Sequence, residues 1–182
     1  MIEDRDDEVE PDGQPNQLGI PLSTLHFNIW YHLGLAHYLR GDFELAHAAY
    51  RECHEVSQND DSRVAASYWL YLILRRLGRD AEADEILAQV SEDQEIIENT
   101  AYHDLLLLFK GERRPEDLLS EGDDALQNTT VAYGVGAWYA VNGDTEQAGE
   151  IWDRILETGS AFAFGYIAAE AEVARMDPSE GS

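Results

Sequence analysis

The sequence predicts an all-α chain, a right-handed α-solenoid of about four helix pairs closed by a C-terminal capping helix. Three observations carry this. Apolar residues from Ser23 onward recur at three- and four-residue spacing, the period of one helix face. Strand-like alternation is absent from the same stretch. Gly41, Gly78, Gly111 and Gly143 punctuate it at separations of 37, 33 and 32 residues, a mean of 34. A unit recurring at such a period buries its apolar face by stacking on its copies.

Residues 1–22 carry Asp4, Asp6, Asp7, Glu8, Glu10 and Asp12 among Pro11, Gly13, Pro15 and Pro21. Too little apolar surface is present there to offset ordering, which predicts an extended or disordered lead-in. The repeat array occupies 23–176 and reads as about nine helices, with 177–182 a polar tail. The turn glycines, and Gly159 with them, stand where a left-handed residue would end a helix. In the first repeat, Trp30, Leu33, Gly34, Gly41, Asp42, Ala46, Tyr50 and Cys53 supply large, large, small, turn, turn, small, large and small residues. Displaced by 102 residues, Val135, Gly136, Tyr139, Gly143, Asp144, Ala148, Trp152 and Ile155 do the same. Gly34 and Gly136 let the two helices of a pair approach, and Ala46 and Ala148 are the reciprocal small residues. Asp42 and Asp144 are placed to cap the second helix of each pair. The middle repeats are worn: Tyr71 stands where glycine is usual, and Pro115 opens a new short helix to about Leu126. The chain closes on a helix over 160–176 with Phe164, Ile167, Ala168, Ala171 and Val173 as its apolar stripe.

A helix pair of this composition, repeated at this period, resembles the tetratricopeptide repeat. More narrowly, residues from about Asn28 to Arg175 are similar to the NlpI-like lipoproteins of the bacterial cell envelope. The blocks that carry this are Gly34 to Tyr38 with Gly41 and Asp42, Tyr68 to Leu72, Phe109 to Gly111, and Tyr133 to Gly136 with Trp138, Tyr139, Gly143 and Asp144. The resemblance implies a dimeric, non-enzymatic adaptor that brings proteases and peptidoglycan hydrolases together. The acidic opening shows no signal sequence or lipidation cysteine, which places the chain in the cytoplasm by default. As a fragment of an NlpI-like protein it would belong to the envelope.

Charge narrows the partners. Against 37 acidic residues stand 12 basic ones, a formal net charge of −25. Such a chain repels phosphate backbones and anionic lipid surfaces, so the expected partners are proteins presenting basic or neutral segments. With Lys110 the single lysine, the acid excess equally fits a high-salt or GC-rich source. No apolar run is long enough to insert in a membrane.

The sequence offers little for catalysis, and neither cofactor nor metal is expected. Glu44 and His47 form half of a Glu-x-x-His arrangement with no second copy. Cys53 and His54 are neighbours on a helix and point apart, and Cys53 holds a small-residue position that suits an inert core thiol. No phosphate loop or nucleophile elbow is present. The residues expected to act are aromatic. Tyr31, Tyr68 and Tyr133 share one register position on the inner face of the repeats, beside Asn28, Leu35 and Tyr38 in the first and Leu72 and Arg75 in the second. Such a row would form a partner-binding groove, apolar in body with hydrogen-bonding tips; packing of repeat on repeat is the competing use of the same rings. Two further alternatives are a homodimer paired through Leu25, Phe27 and Ile29, and a motif-poor enzyme.

Overall fold

A computed structural model describes residues 5–10, 16, 18–119 and 125–176, the side chains of 125–127 excepted. Among these residues there are helices and no strands. The helices are α1 (Leu25–Arg40), α2 (Phe43–Glu55), α3 (Asp60–Arg76), α4 (Asp80–Ala88), α5 (Thr100–Lys110), α6 (Pro115–Leu118), α7 (Ala125–Val141), α8 (Thr145–Thr158) and α9 (Phe164–Met176). The chain divides into two compact units, Met1–Leu106 and Leu107–Ser182.

The turn glycines act as the period predicts. Gly41, Gly78, Gly111 and Gly143 have φ of 79°, 68°, 84° and 89°, a region where a Cβ is costly. Each lets the following amide reach back to the last helical turn: Asp42 to the His37 carbonyl, Arg79 to Leu74, Glu112 to Leu107 and Asp144 to Tyr139. Four helices thus end in the same way because the same residue stands at the same place in the repeat. Gly159 differs. It ends α8 in an extended conformation, and its missing Cβ is needed because one would lie 2.6 Å from the Ile155 carbonyl oxygen.

In the first unit α1 packs on α2, α2 on α3, and α3 on α4. The contact at the heart of the first pair is Gly34 against the ring of Tyr50, where an added Cβ would stand 2.6 Å from two ring carbons. Ala46 and Tyr50 are both fully buried. From Val64 to Leu74 every residue of α3 is buried, so this helix is apolar all round rather than on one stripe. A capping box of Asn59 and Ser62 starts it.

In the second unit α7 packs on α8, and α9 lies against both. Gly136 meets the indole of Trp152 as Gly34 meets Tyr50, with an added Cβ 2.5 Å from Nε1. The Asp144 side chain accepts from the Gln147 amide, whereas Asp42 makes no side-chain cap and pairs with Arg40 at 3.0 Å. The closing helix starts at Phe164, and its buried face is Gly165, Ala168, Ala169 and Glu172, while Ile167 is exposed. The predicted stripe was rotated: close approach to α7 takes the smallest side chains, and Glu172 is accommodated by the Tyr133 hydroxyl and Arg175. α6 ends at Leu118, short of the predicted Leu126, and 120–124 lie outside the described residues.

Ala148 is fully buried at the α8 position facing α7. Ala148→Leu is expected to destabilise by about 1–3 kcal/mol through overpacking, while the exposed Glu150→Gln changes little. Equal melting of the two variants would remove this reading of the contact.

Candidate functional site

The eight residues expected on an inner face divide by burial. Tyr31, Leu35, Tyr38, Tyr68, Leu72 and Tyr133 are buried, and Asn28 and Arg75 are partly exposed. In the first unit the reason is a ring that the sequence reading passed over. Tyr102 stands nine residues before its turn glycine, Gly111, one place past the register that Tyr31, Tyr68 and Tyr133 hold ten residues before theirs. Its hydroxyl lies 2.9 Å from that of Tyr31, and its ring centroid lies 5.0 Å from that of Tyr68. A large residue on α5 thus closes on Tyr31 and Tyr68, and the space between them is filled by ring.

Trp69 completes the cluster. Its Nε1 donates to the Tyr31 hydroxyl at 2.8 Å, and its ring meets Tyr38 edge-on at 5.2 Å and stacks on Tyr50 at 6.3 Å. Tyr31 also packs on Phe27 and Tyr50. Burial pushes the Tyr31 phenol well above its ordinary range, with the neighbouring Tyr102 and Tyr50 adding to the effect. Burial likewise raises Tyr50 and Tyr102. These hydroxyls therefore stay protonated, and those of Tyr31 and Tyr102 serve as structural hydrogen-bonding groups. Trp69 and Tyr102 are the residues missed; Tyr102 lies one place off the register of the row, so counting from the turn glycines lands on Ala101 instead.

In the second unit Tyr133 stacks on Trp152 at 6.1 Å and donates to buried Glu172 at 3.3 Å. The Trp152 indole donates to the Tyr133 carbonyl. Arg75 lies 5.9 Å over the Tyr71 ring, bonds its hydroxyl at 3.1 Å and pairs with Asp80 at 3.0 Å.

The other candidates find their places. Cys53 is fully buried, its thiol directed at the Phe27 carbonyl, and desolvation drives its pKa far up. His47 faces Arg79 at 3.2 Å, and burial and that guanidinium hold its pKa down. His54 is lowered by burial and by Arg63. Among the described residues no three His, Cys, Asp or Glu side chains are grouped so as to hold a metal ion. Leu25, Phe27 and Ile29 do not form one pairing face: Phe27 is buried and Ile29 exposed, because residues two apart on a helix point in nearly opposite directions. Among the described residues no helix is long and apolar enough to cross a membrane.

Another buried group was invisible in the pattern. Asp61, 1% exposed, sits in the first turn of α3. Its carboxylate accepts from the amides of Ile97, Glu98 and Asn99 at 2.9, 2.8 and 2.8 Å. The Asn99 side chain returns a bond to the Asp61 carbonyl. This fastens the approach to α5 onto α3 and so sets Tyr102 against Tyr31 and Tyr68.

No curated protein and no solved structure matches the chain. Residues 27–60 match the family model described as Tetratricopeptide repeat. They span the hairpin with the Gly34–Tyr50 contact and the Gly41 turn, so this stretch is similar to one tetratricopeptide repeat.

Proposed function

We propose that the chain is a non-enzymatic adaptor that binds a basic or neutral segment of another protein along the inner faces of its repeats. The observation that carries this is the repeat itself at 27–60, since repeats of this family generally mediate protein–protein interaction. The net charge of −25 supports the choice of partner, because a negative field steers basic segments and repels nucleic acid. The narrower likeness to NlpI-like envelope adaptors points to the same adaptor role.

Within the proposed groove, direct contact falls to Asn28 and Arg75, the partly exposed members of the row. In the first unit Tyr31, Leu35, Tyr38, Tyr68 and Leu72 would act from beneath, holding that face rigid so that binding costs little ordering, and Tyr133 would do the same within the second unit. Tyr31→Ala is therefore a poor binding probe, since it opens a cavity; Tyr31→Phe removes only the hydroxyl.

The test is to identify a partner by capture and titrate it against wild type, Asn28→Ala and Arg75→Ala. Each substitution is expected to weaken binding by about 1–2 kcal/mol. Binding should also weaken with salt as the field is screened over about 8–10 Å. Equal affinity for all three proteins, independent of salt, would exclude this face.

A further inference from the structure

The first amides of a helix have no carbonyl of their own helix to bond. In α1 the side chain of Thr24 serves Phe27, but the Leu25 and His26 amides are served from far back in the chain. Leu25 donates to the Glu8 carbonyl at 2.8 Å, and His26 donates to the Asp7 carboxylate at 2.9 Å. The same short segment makes further bonds. The Glu10 amide donates to the Ser23 carbonyl at 3.0 Å, giving a bridge between Val9 and Thr24. The Gln58 amide donates to Asp7 at 3.0 Å, and the His26 ring meets the Arg5 carbonyl at 2.9 Å. The Asn28 amide, one of the two partly exposed inner-face groups, donates to the Glu10 carboxylate at 2.7 Å.

We propose that residues 5–10 are a releasable strap that closes the Asn28 end of the inner face, and that a basic partner segment lifts it. Its bearing on binding rests on the adaptor reading above. Charge supplies the release. The strap carries four carboxylates, Asp6, Asp7, Glu8 and Glu10, against the single cation Arg5, within a chain whose net charge of −25 includes them, so like-charge repulsion opposes its docking. Asp7 and Glu10 are engaged by neutral donors, and Asp6, Asp7 and Glu8 are exposed while Glu10 is partly covered. An arriving arginine- or lysine-rich segment meets those exposed carboxylates first. It competes for Asp7 at once and then for Glu10, since a guanidinium or ammonium brings a full positive charge to the carboxylate where the amide donors are neutral. Loss of the Glu10 contact frees Asn28 for the partner.

The test is amide hydrogen exchange on the full chain, with and without a hepta-arginine peptide as the probe. Protection at Leu25 and His26 reports the strap alone, because neither amide has an intrahelical acceptor. In the protein alone both should exchange at least about tenfold slower than free amides, and Glu10→Ala should reduce this protection. Adding hepta-arginine should accelerate both by about tenfold while the Trp69 and Leu70 amides of α3 stay unchanged, and high salt should abolish the effect. Unprotected Leu25 and His26 in the wild type would overturn the strap. So would protection that the peptide leaves unchanged or increases, or acceleration that spreads equally to α3. The two readings fail separately. Release with no partner that depends on Asn28 or Arg75 leaves the strap and removes the adaptor reading, while a partner that binds without release does the reverse.

Discussion

Replacing Asp61 with alanine is expected to lower the stability of the first unit by about 3 kcal/mol, since hydrogen bonds to a charged acceptor are worth about 1.5–3 kcal/mol and are lost together here. The carboxylate serves three amides with two oxygens: Oδ1 takes Glu98 and Asn99, and Oδ2 takes Ile97. Its place in the first turn of α3 adds the favourable interaction of a negative charge with the positive end of the helix. Asp61→Asn should rescue little, because the amide offers one acceptor and turns a donor toward a donor. The effect should reach the ring cluster, since the Asp61 contacts position the start of α5 and hence Tyr102. Urea unfolding gives the stability, and near-ultraviolet circular dichroism reads the packing of Tyr31, Tyr68 and Tyr102. An asparagine variant as stable as wild type would show that neither the charge nor the second oxygen matters.

Gly136→Ala should reverse the usual sign of a helix substitution. Alanine in place of glycine in a helix interior ordinarily stabilises by about 1 kcal/mol. Here the new Cβ would stand 2.5 Å from Trp152 Nε1. The indole is buried and held by its bond to the Tyr133 carbonyl, so it has nowhere to move. A net loss of about 1–3 kcal/mol is expected from overpacking. Gly34→Ala, facing Tyr50 at 2.6 Å, should behave alike in the first unit. Gly149 in α8 is the control. Its added Cβ would meet only the end of Met176, at 3.6 Å, so Gly149→Ala should stabilise by up to about 1 kcal/mol. Thermal melts of the three variants decide the point: a uniform stabilisation would mean that the helix pairs are not held by glycine-to-ring contact.

The sequence by itself determined the features that depend on residues of one helix pair. The left-handed turns at Gly41, Gly78, Gly111 and Gly143 require only glycine just past the end of a helix. The close approach of the two helices at Gly34 and Gly136 lies within one hairpin and was legible from the small residues there, although the nearest neighbour of each glycine is the ring of Tyr50 or Trp152 and not the reciprocal Ala46 or Ala148. The all-α class and the buried Cys53 follow from the same local register.

What the tertiary structure decided involves partners brought together from distant repeats. Register correctly gave Tyr31 and Tyr68 one position, but whether that position faces a groove depends on what the next repeat presents. In this chain Tyr102 fills the place with a ring. The role of Asp61 depends on a loop 36 residues away, and nothing about an aspartate in the first turn of a helix announces three amides approaching it. The strap is a further case. An acidic, proline-containing lead-in reads as polar chain because it has no apolar surface to bury, yet residues 5–10 are held by hydrogen bonds to the unsatisfied first turn of α1. Periodicity in a sequence records which side chains share a face. Burial is settled by the volume and hydrogen-bonding needs of whatever packs across from that face.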